Sequence, residues 1–185
     1  PSNATLMVIG DIDKKSALTE ISQRFGALKT AGKKPMRTIA VEPLQEGIRR
    51  IEIERASSTN IVGFGVKHEG FPSKKWFESM LVSSMLADGP DSILYKKLVD
   101  TGLASKVEMS VEPAREENLA ILFVTLSKKA THAQIEKIVF EIVSNLDAKS
   151  LEKHYKKIQQ KIITSEIIER QSSLRVAMEL TEYVS

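Results

Sequence analysis

The sequence predicts an α+β fold with a largely antiparallel sheet and helices on one face. Short strand-like runs come in consecutive pairs, first Ile51–Glu54 with Thr59–Val66, where polarity alternates, then Ser105–Val111 with Asn118–Leu126. Between and after these pairs, apolar residues recur every three or four positions, which is the spacing of helices. Paired strands separated by paired helices are typical of antiparallel rather than parallel sheets.

The first residues indicate one strand and one helix. Thr5–Ile9 is an apolar run rich in strand-forming residues, and Gly10 and Asp11 end it. Asp13 can cap a helix from about residue 14 to residue 25. Residues 27–47 contain several glycines and prolines with little periodicity, so they predict a linker and the domain boundary.

Period-two alternation begins at Ile48. Ile51 and Ile53 alternate with glutamates, which predicts a strand with one buried face. In Thr59–Val66 the alternating partners of the apolar residues are Gly63 and Gly65, which indicates a bend or a close approach to the backbone. The short spacer between these runs predicts that they pair antiparallel.

Helices are predicted from caps and periodicity. Ser73 opens one that Asp88-Gly89-Pro90 ends, and a second one follows and stops at Gly102. Thr131 caps a third helix, and Ser150 caps a final helical region that runs to the end of the chain. We expect the first two helices to pack onto the sheet through Phe77, Leu81, Leu94 and Leu98, against Ile51, Ile53, Val62 and Phe64 or the neighbours of these four on the opposite face.

Composition excludes several classes of function. Lys and Arg number 27 against 24 Asp and Glu, and the basic residues of 153–161 fit the solvated side of a helix, so no nucleic-acid partner is predicted. There is no cysteine, which excludes disulfides and thiolate metal sites and leaves the compartment open. No apolar run reaches the roughly 20 residues of a transmembrane helix.

No residue set carries recognisable chemistry. The histidines are His68, His132 and His154, and none has a second ligand at helical spacing. His68 is predicted in a loop before a helix, and an ordinary surface position is expected for all three. Glu116 and Glu117 are adjacent carboxylates in a solvated turn. We therefore predict no catalytic, cofactor-binding or metal-binding residue in this chain.

Two segments carry a family resemblance. Residues 1–13, PSNATLMVIGDID, followed by Arg24-Phe25-Gly26, resemble the last strand and helix of the metal-bearing domain in pitrilysin/insulinase-type zinc metallopeptidases. Residues 86–99, LADGPDSILYKKLV, resemble a helix junction of the same family. The resemblance implies the LuxS/MPP-like metallopeptidase fold. It also implies that residues 1–26 end a preceding domain and that residues 48–185 form a non-catalytic domain.

The sequence departs from the family pattern in ways that define its role. The zinc motif His-x-x-Glu-His is absent, and the resemblance places it upstream of Pro1. Ile93 stands where arginine is common, and residues 99–105 lack the Arg and Tyr of substrate-clamping domains. The chain therefore resembles the second domain of a half-chain whose first domain holds zinc.

Three functions remain open. The resemblance implies the wall of a substrate chamber in a zinc endopeptidase, or alternatively a catalytically inactive assembly subunit of the same family. An unrelated α+β binding module is the third. The implied partners are other domains of the same chain or a homologous subunit, together with the peptide substrate of the longer protein, the parent, to which this domain would belong. Resemblance to bacterial members favours a periplasmic or envelope-associated parent.

The strand Thr5–Ile9 raises the question of a homodimer. Either it adds to a sheet edge of its own chain or of a second copy, or it stays with its helix as an independent appendage. Unpaired edges attract strands because their backbone groups lack partners.

Overall fold

The computed structural model describes residues 4–29, 43 and 45–184 and divides the chain into two compact units. The first unit contains the described residues up to Ala56 together with Ser172–Val184, and the second is Ser57–Gln171. In the first unit the helices are α1 (Lys14–Phe25) and α5 (Ser173–Val184). The second unit contains β1 (Ile61–His68), α2 (Lys74–Ala87), a π-helical segment (Tyr95–Val99), β2 (Ala104–Val111), β3 (Asn118–Leu126), α3 (His132–Ser144) and α4 (Ala148–Glu169).

The second unit is built on a three-stranded antiparallel sheet in the order β1-β3-β2. Val124 of the central strand lies opposite Val62 on one side and Val107 on the other. A register shift at Ala104/Lys106 interrupts the pairing of β2. The predicted α+β class with an antiparallel sheet is confirmed.

The core lies between one face of this sheet and the helices. Leu94, Leu98, Val124 and Ile135 are completely buried. Val62 shares their cluster and Phe64 packs against it, as predicted. The rest of the buried cluster consists of Leu86, Ala87, Ala104, Val107, Leu122, Leu126 and Val139.

Local capping chemistry determines where the helices begin. The side chains of Asp13, Ser73 and Thr131 accept hydrogen bonds from backbone N–H groups three residues later, as the sequence predicted. The prediction that Ser150 caps α4 is wrong. Asp147 is the cap, and Ser150 is its reciprocal partner in a capping box.

The final helical region is not continuous, contrary to the prediction. α4 ends at Glu169 and α5 begins at Ser173. Ser172 accepts hydrogen bonds from Arg175 N to its side chain and from Val176 N to its carbonyl. A serine that caps a new helix competes with continuation of the old one, which explains the break.

Two predicted strands do not form. Residues 5–9 and 48–54 belong to no strand, and Ile51 is 83% exposed. The packing of Leu94 and Leu98 onto Ile51 and Ile53 is therefore wrong. An apolar run or an alternating pattern marks a segment that could be a strand, but a strand also needs a hydrogen-bonded neighbour. β3, rather than residues 48–54, is the strand that pairs with β1.

Other expectations have mixed outcomes. Phe77 is exposed, and Leu81 is half-buried and lies outside the core cluster, so their predicted places in the core are wrong. Most of the predicted linker 27–47 lies outside the described residues, and the assignment of residues 1–26 to a preceding domain stays a prediction. Within the described ranges, no helix is both long and apolar enough to cross a bilayer.

Candidate binding face of the sheet

His68 is the titratable residue whose position differs most from the prediction. It is the last residue of β1 and only 7% exposed, rather than in a surface loop. Its Nδ1 lies 2.7 Å from the carbonyl oxygen of Glu69, so Nδ1 carries the hydrogen. Its Nε2 is buried and has no hydrogen-bond partner in the described part of the chain.

The remaining predicted polar residues are dispersed. His132 is exposed at the start of α3, and the Nδ1 of His154 lies 3.3 Å from the carbonyl oxygen of Ser150 within α4. Glu116 and Glu117 are exposed in the turn between β2 and β3. Among the residues that the structure describes, His, Asp and Glu side chains form no group of three that could hold a metal ion.

The family-like segment 86–99 forms a tight turn between α2 and the π-helical segment. Gly89 has a positive φ of 85°, a conformation that favours glycine. The hydroxyl of Ser92 is 2.8 Å from the carbonyl oxygen of Gly89 and donates to it, and Ser92 is buried. Leu94 and Leu98 then enter the core. The residues of this segment therefore fix backbone geometry and packing, which is a structural role.

The outward face of the sheet, opposite the buried core, keeps apolar side chains exposed in the described part of the chain. On it the apolar side chains of Ile61, Leu119 and Phe123 are 52%, 42% and 48% exposed. The same strands bury their other face, where Val62, Val107, Leu122 and Val124 pack. We call the outward residues the open face; they are Ile61, Gly63, Gly65, Lys67, Lys106, Glu108, Ser110, Leu119, Ile121, Phe123 and Thr125.

Gly63 and Gly65 shape the open face. They lie opposite Phe123 and Ile121 of β3. A Cβ built on Gly63 would lie 3.2 Å from Cε1 of Phe123, and one on Gly65 would lie 3.8 Å from Cδ1 of Leu119. The Phe123 ring therefore lies against the backbone of Gly63, which confirms the predicted close approach. With two side chains missing, β1 presents bare backbone beside an aromatic ring.

The charged residues of the open face are Lys67 on β1 and Lys106 and Glu108 on β2. Lys106 Nζ lies 2.6 Å from Glu108 Oε1, and the two charges neutralise each other. The rest of the face combines apolar side chains and the hydroxyls of Ser110 and Thr125 with the backbone at the two glycines. Such a surface can accept extended polypeptide through backbone contacts and apolar side chains.

Comparisons with known proteins give the family and the fold of the chain. A family model described as "Peptidase M16 inactive domain" matches residues 1–168. The zinc protease PqqE of Helicobacter pylori (strain ATCC 700392 / 26695) is 24% identical, in an alignment that covers 81% of this chain and 40% of that protein. The crystal structure of a protease from Helicobacter pylori is similar with a TM-score of 0.84 at 21% identity, over 95% of this chain and 43% of that one. The chain thus spans less than half the length of these relatives.

Proposed function

The chain belongs to the Peptidase M16 inactive-domain family, and from that premise we propose that it forms a wall of the peptide-binding chamber of a zinc endopeptidase. It is a non-catalytic domain of a zinc protease family. In the proposal, zinc and the residues that activate water belong to another domain of the parent protein. This chain contributes binding surface and excludes solvent.

The observation that carries the proposal is the open face. Ile61, Leu119 and Phe123 are exposed on one face, and an exposed apolar patch of this kind favours association with another molecule. A domain with a purely structural role would be expected to bury these side chains. Because Gly63 and Gly65 have no side chains, the surface of β1 beside Phe123 is formed by backbone atoms. An extended peptide can therefore approach the backbone of β1 while an apolar side chain contacts the ring.

The proposal is tested on the full-length parent with a long peptide substrate. A Phe123→Ala substitution is expected to raise KM about tenfold, as loss of one buried aromatic contact implies, and to leave kcat nearly unchanged. The matched control is Phe140→Ala on α3, whose ring is 45% exposed but belongs to the helical side. Equal effects of the two substitutions, or an effect on kcat alone, would contradict a binding role for the open face.

The assignment of zinc to another domain has its own test. After dialysis, the 185-residue chain is expected to contain far less than one zinc per molecule and to cleave no peptide, whereas the parent is expected to contain zinc. Elemental analysis measures both. Stoichiometric zinc in the chain that a His132→Ala or His68→Leu variant abolishes would overturn the assignment. A parent without zinc or activity would favour the inactive assembly subunit.

A further inference from the structure

Strand β2 forms an edge of the sheet. It pairs with β3 on one side, and on the other side no strand of the described residues pairs with it. The N–H and C=O groups along such an edge can bind a further strand. From Lys106 to Val111 the residues of β2 pair one to one with β3, so this part of the edge has regular strand geometry.

The charges on this edge are self-complementary. Lys106 and Glu108 flank the buried Val107, and their side chains are 62% and 57% exposed on the open face. Two copies of β2 paired antiparallel about a twofold axis at Val107 place Lys106 of each copy opposite Glu108 of the other. Opposite charges in directly opposed positions stabilise a strand pair.

The neighbouring symmetric registers lack this match. An axis at Lys106 would place two lysines opposite each other, and an axis at Glu108 would place two glutamates opposite each other. An axis between two residues would pair positions that lie on opposite faces of the sheet, since side chains alternate along a strand. The charge pattern of β2 therefore selects the register that is centred on Val107.

A groove accompanies the edge on the helical side of the sheet. It has a volume of about 450 Å³ and lies between α2 and β2, where Met80, Met109 and Val111 line it and remain half-buried. A twofold axis perpendicular to the sheet puts the helices of both copies on the same side. The partner's α2 would then face this groove and cover its methionines.

We propose that two copies of this chain associate through β2, antiparallel about a twofold axis at Val107, so that their two three-stranded sheets become one continuous sheet. The open faces of both copies lie on the same side of that sheet and stay uncovered. The dimer thus goes beyond the chamber-wall function and does not depend on it.

Charge reversal tests the register by sedimentation equilibrium at low salt. The unaltered chain is expected to form dimers. Lys106→Glu or Glu108→Lys alone is expected to raise the dissociation constant about tenfold or more, because each turns two attractive pairs into repulsive ones. The double variant, Lys106→Glu with Glu108→Lys, is expected to restore the original dissociation constant. Arg24→Glu is the control, since Arg24 forms an exposed ion pair with Glu20 on α1, in the other unit.

Cysteine crosslinking tests the same register directly, because the chain has no cysteine. Lys106→Cys and Glu108→Cys chains, mixed and oxidised, are expected to form a disulfide-linked heterodimer, since directly opposed residues lie within about 7 Å between Cα atoms. Each variant alone is expected to crosslink far more slowly. The proposal would be overturned if the unaltered chain were monomeric, or if each cysteine variant alone crosslinked as fast as the mixture. It would also be overturned if the single charge reversals left the dissociation constant unchanged. A monomer that captures a cysteine-containing extended peptide at this edge would overturn it as well.

Discussion

Lys161 of α4 forms an ion pair with Asp88, the residue at the carboxyl end of α2. The Nζ of Lys161 lies 2.6 Å from the Oδ2 of Asp88, and the two residues are 73 positions apart in the sequence. One turn earlier on α4, Lys157 pairs with Asp91. Both lysines belong to the basic face of α4, which the sequence predicted to be a solvated surface. Both lysines are exposed, as predicted, and their ion pairs also link α4 to the turn that joins α2 to the π-helical segment.

The Asp91 pair predicts a pH-dependent contribution to stability. The hydrogen bond and charge of Lys157, with help from Lys96, lower the pKa of Asp91 below its ordinary value of 3.8. A lowered folded-state pKa stabilises the fold above the unfolded-state pKa, and this stabilisation is lost as the pH falls through the folded-state value. Asp91→Asn is therefore expected to lower the melting temperature slightly at pH 7, and the difference should disappear as the pH is lowered below 4.

Salt and a matched carboxylate provide the controls for Asp91. The pair is exposed, so 1 M salt is expected to reduce the difference at pH 7. Asp100→Asn, at the exposed end of the π-helical segment, is expected to change the melting temperature little at any pH. An Asp91→Asn effect of the same size at pH 7 and pH 3 would show that the carboxylate charge is not its cause.

Leu98 is expected to be among the most sensitive positions of the core. It is completely buried, as is Leu94 one turn earlier. Leu98→Ala should lower the free energy of unfolding by about 2–5 kcal/mol, because the substitution removes buried methyl groups and leaves a cavity. Leu174→Ala, at a position that is 69% exposed on α5, should change it by less than about 0.5 kcal/mol. Urea denaturation measures both, and equal effects would contradict the placement of the helix.

Gly70 is expected to tolerate no side chain. A Cβ there would lie 2.2 Å from the carbonyl oxygen of Arg115, and the N–H of Phe71 donates to the carbonyl oxygen of Ala114 at 2.7 Å. Gly70→Ala should therefore force apart the turns after β1 and β2 and destabilise the fold by about 1–3 kcal/mol. Gly47→Ala is the control, because a Cβ at Gly47 has no described atom within 4 Å. A melting temperature for Gly70→Ala equal to that of the unaltered chain would show that the turns are not in contact.

The sequence correctly predicted the starts of three helices, because a helix start depends on hydrogen bonds between residues that are close in sequence. The caps of α1, α2 and α3 are single side chains that bond the next turn, so Asp13, Ser73 and Thr131 could be identified without tertiary information. The resemblance to pitrilysin/insulinase-type peptidases, based on residues 1–13 and 86–99, is confirmed by the family match. The strands predicted at 5–9 and 48–54 do not form because neither an apolar run nor alternation reveals whether a pairing partner exists.

The open face could be predicted only in part. The alternation of Gly63 and Gly65 indicated close contact with the backbone, but Phe123 reaches Gly63 through a register between strands that are far apart in sequence. The burial of His68 was missed for a similar reason. Its exposure depends on how the end of β1 packs in three dimensions, and no pattern within the segment around His68 encodes that.

His68 provides the last prediction. A buried acceptor without a partner costs free energy, because water satisfies it in the unfolded chain and no described group does so in the fold. His68→Leu removes this acceptor and also the bond from Nδ1 to the Glu69 carbonyl, which is half-buried and can still reach water. The two changes oppose each other, so we expect the free energy of unfolding to stay within about 1 kcal/mol of the original or to rise. His68→Asp, which places a charge at the same buried position, should destabilise the chain strongly. A loss above about 2 kcal/mol for His68→Leu in urea denaturation would show instead that a buried water or another group bonds Nε2.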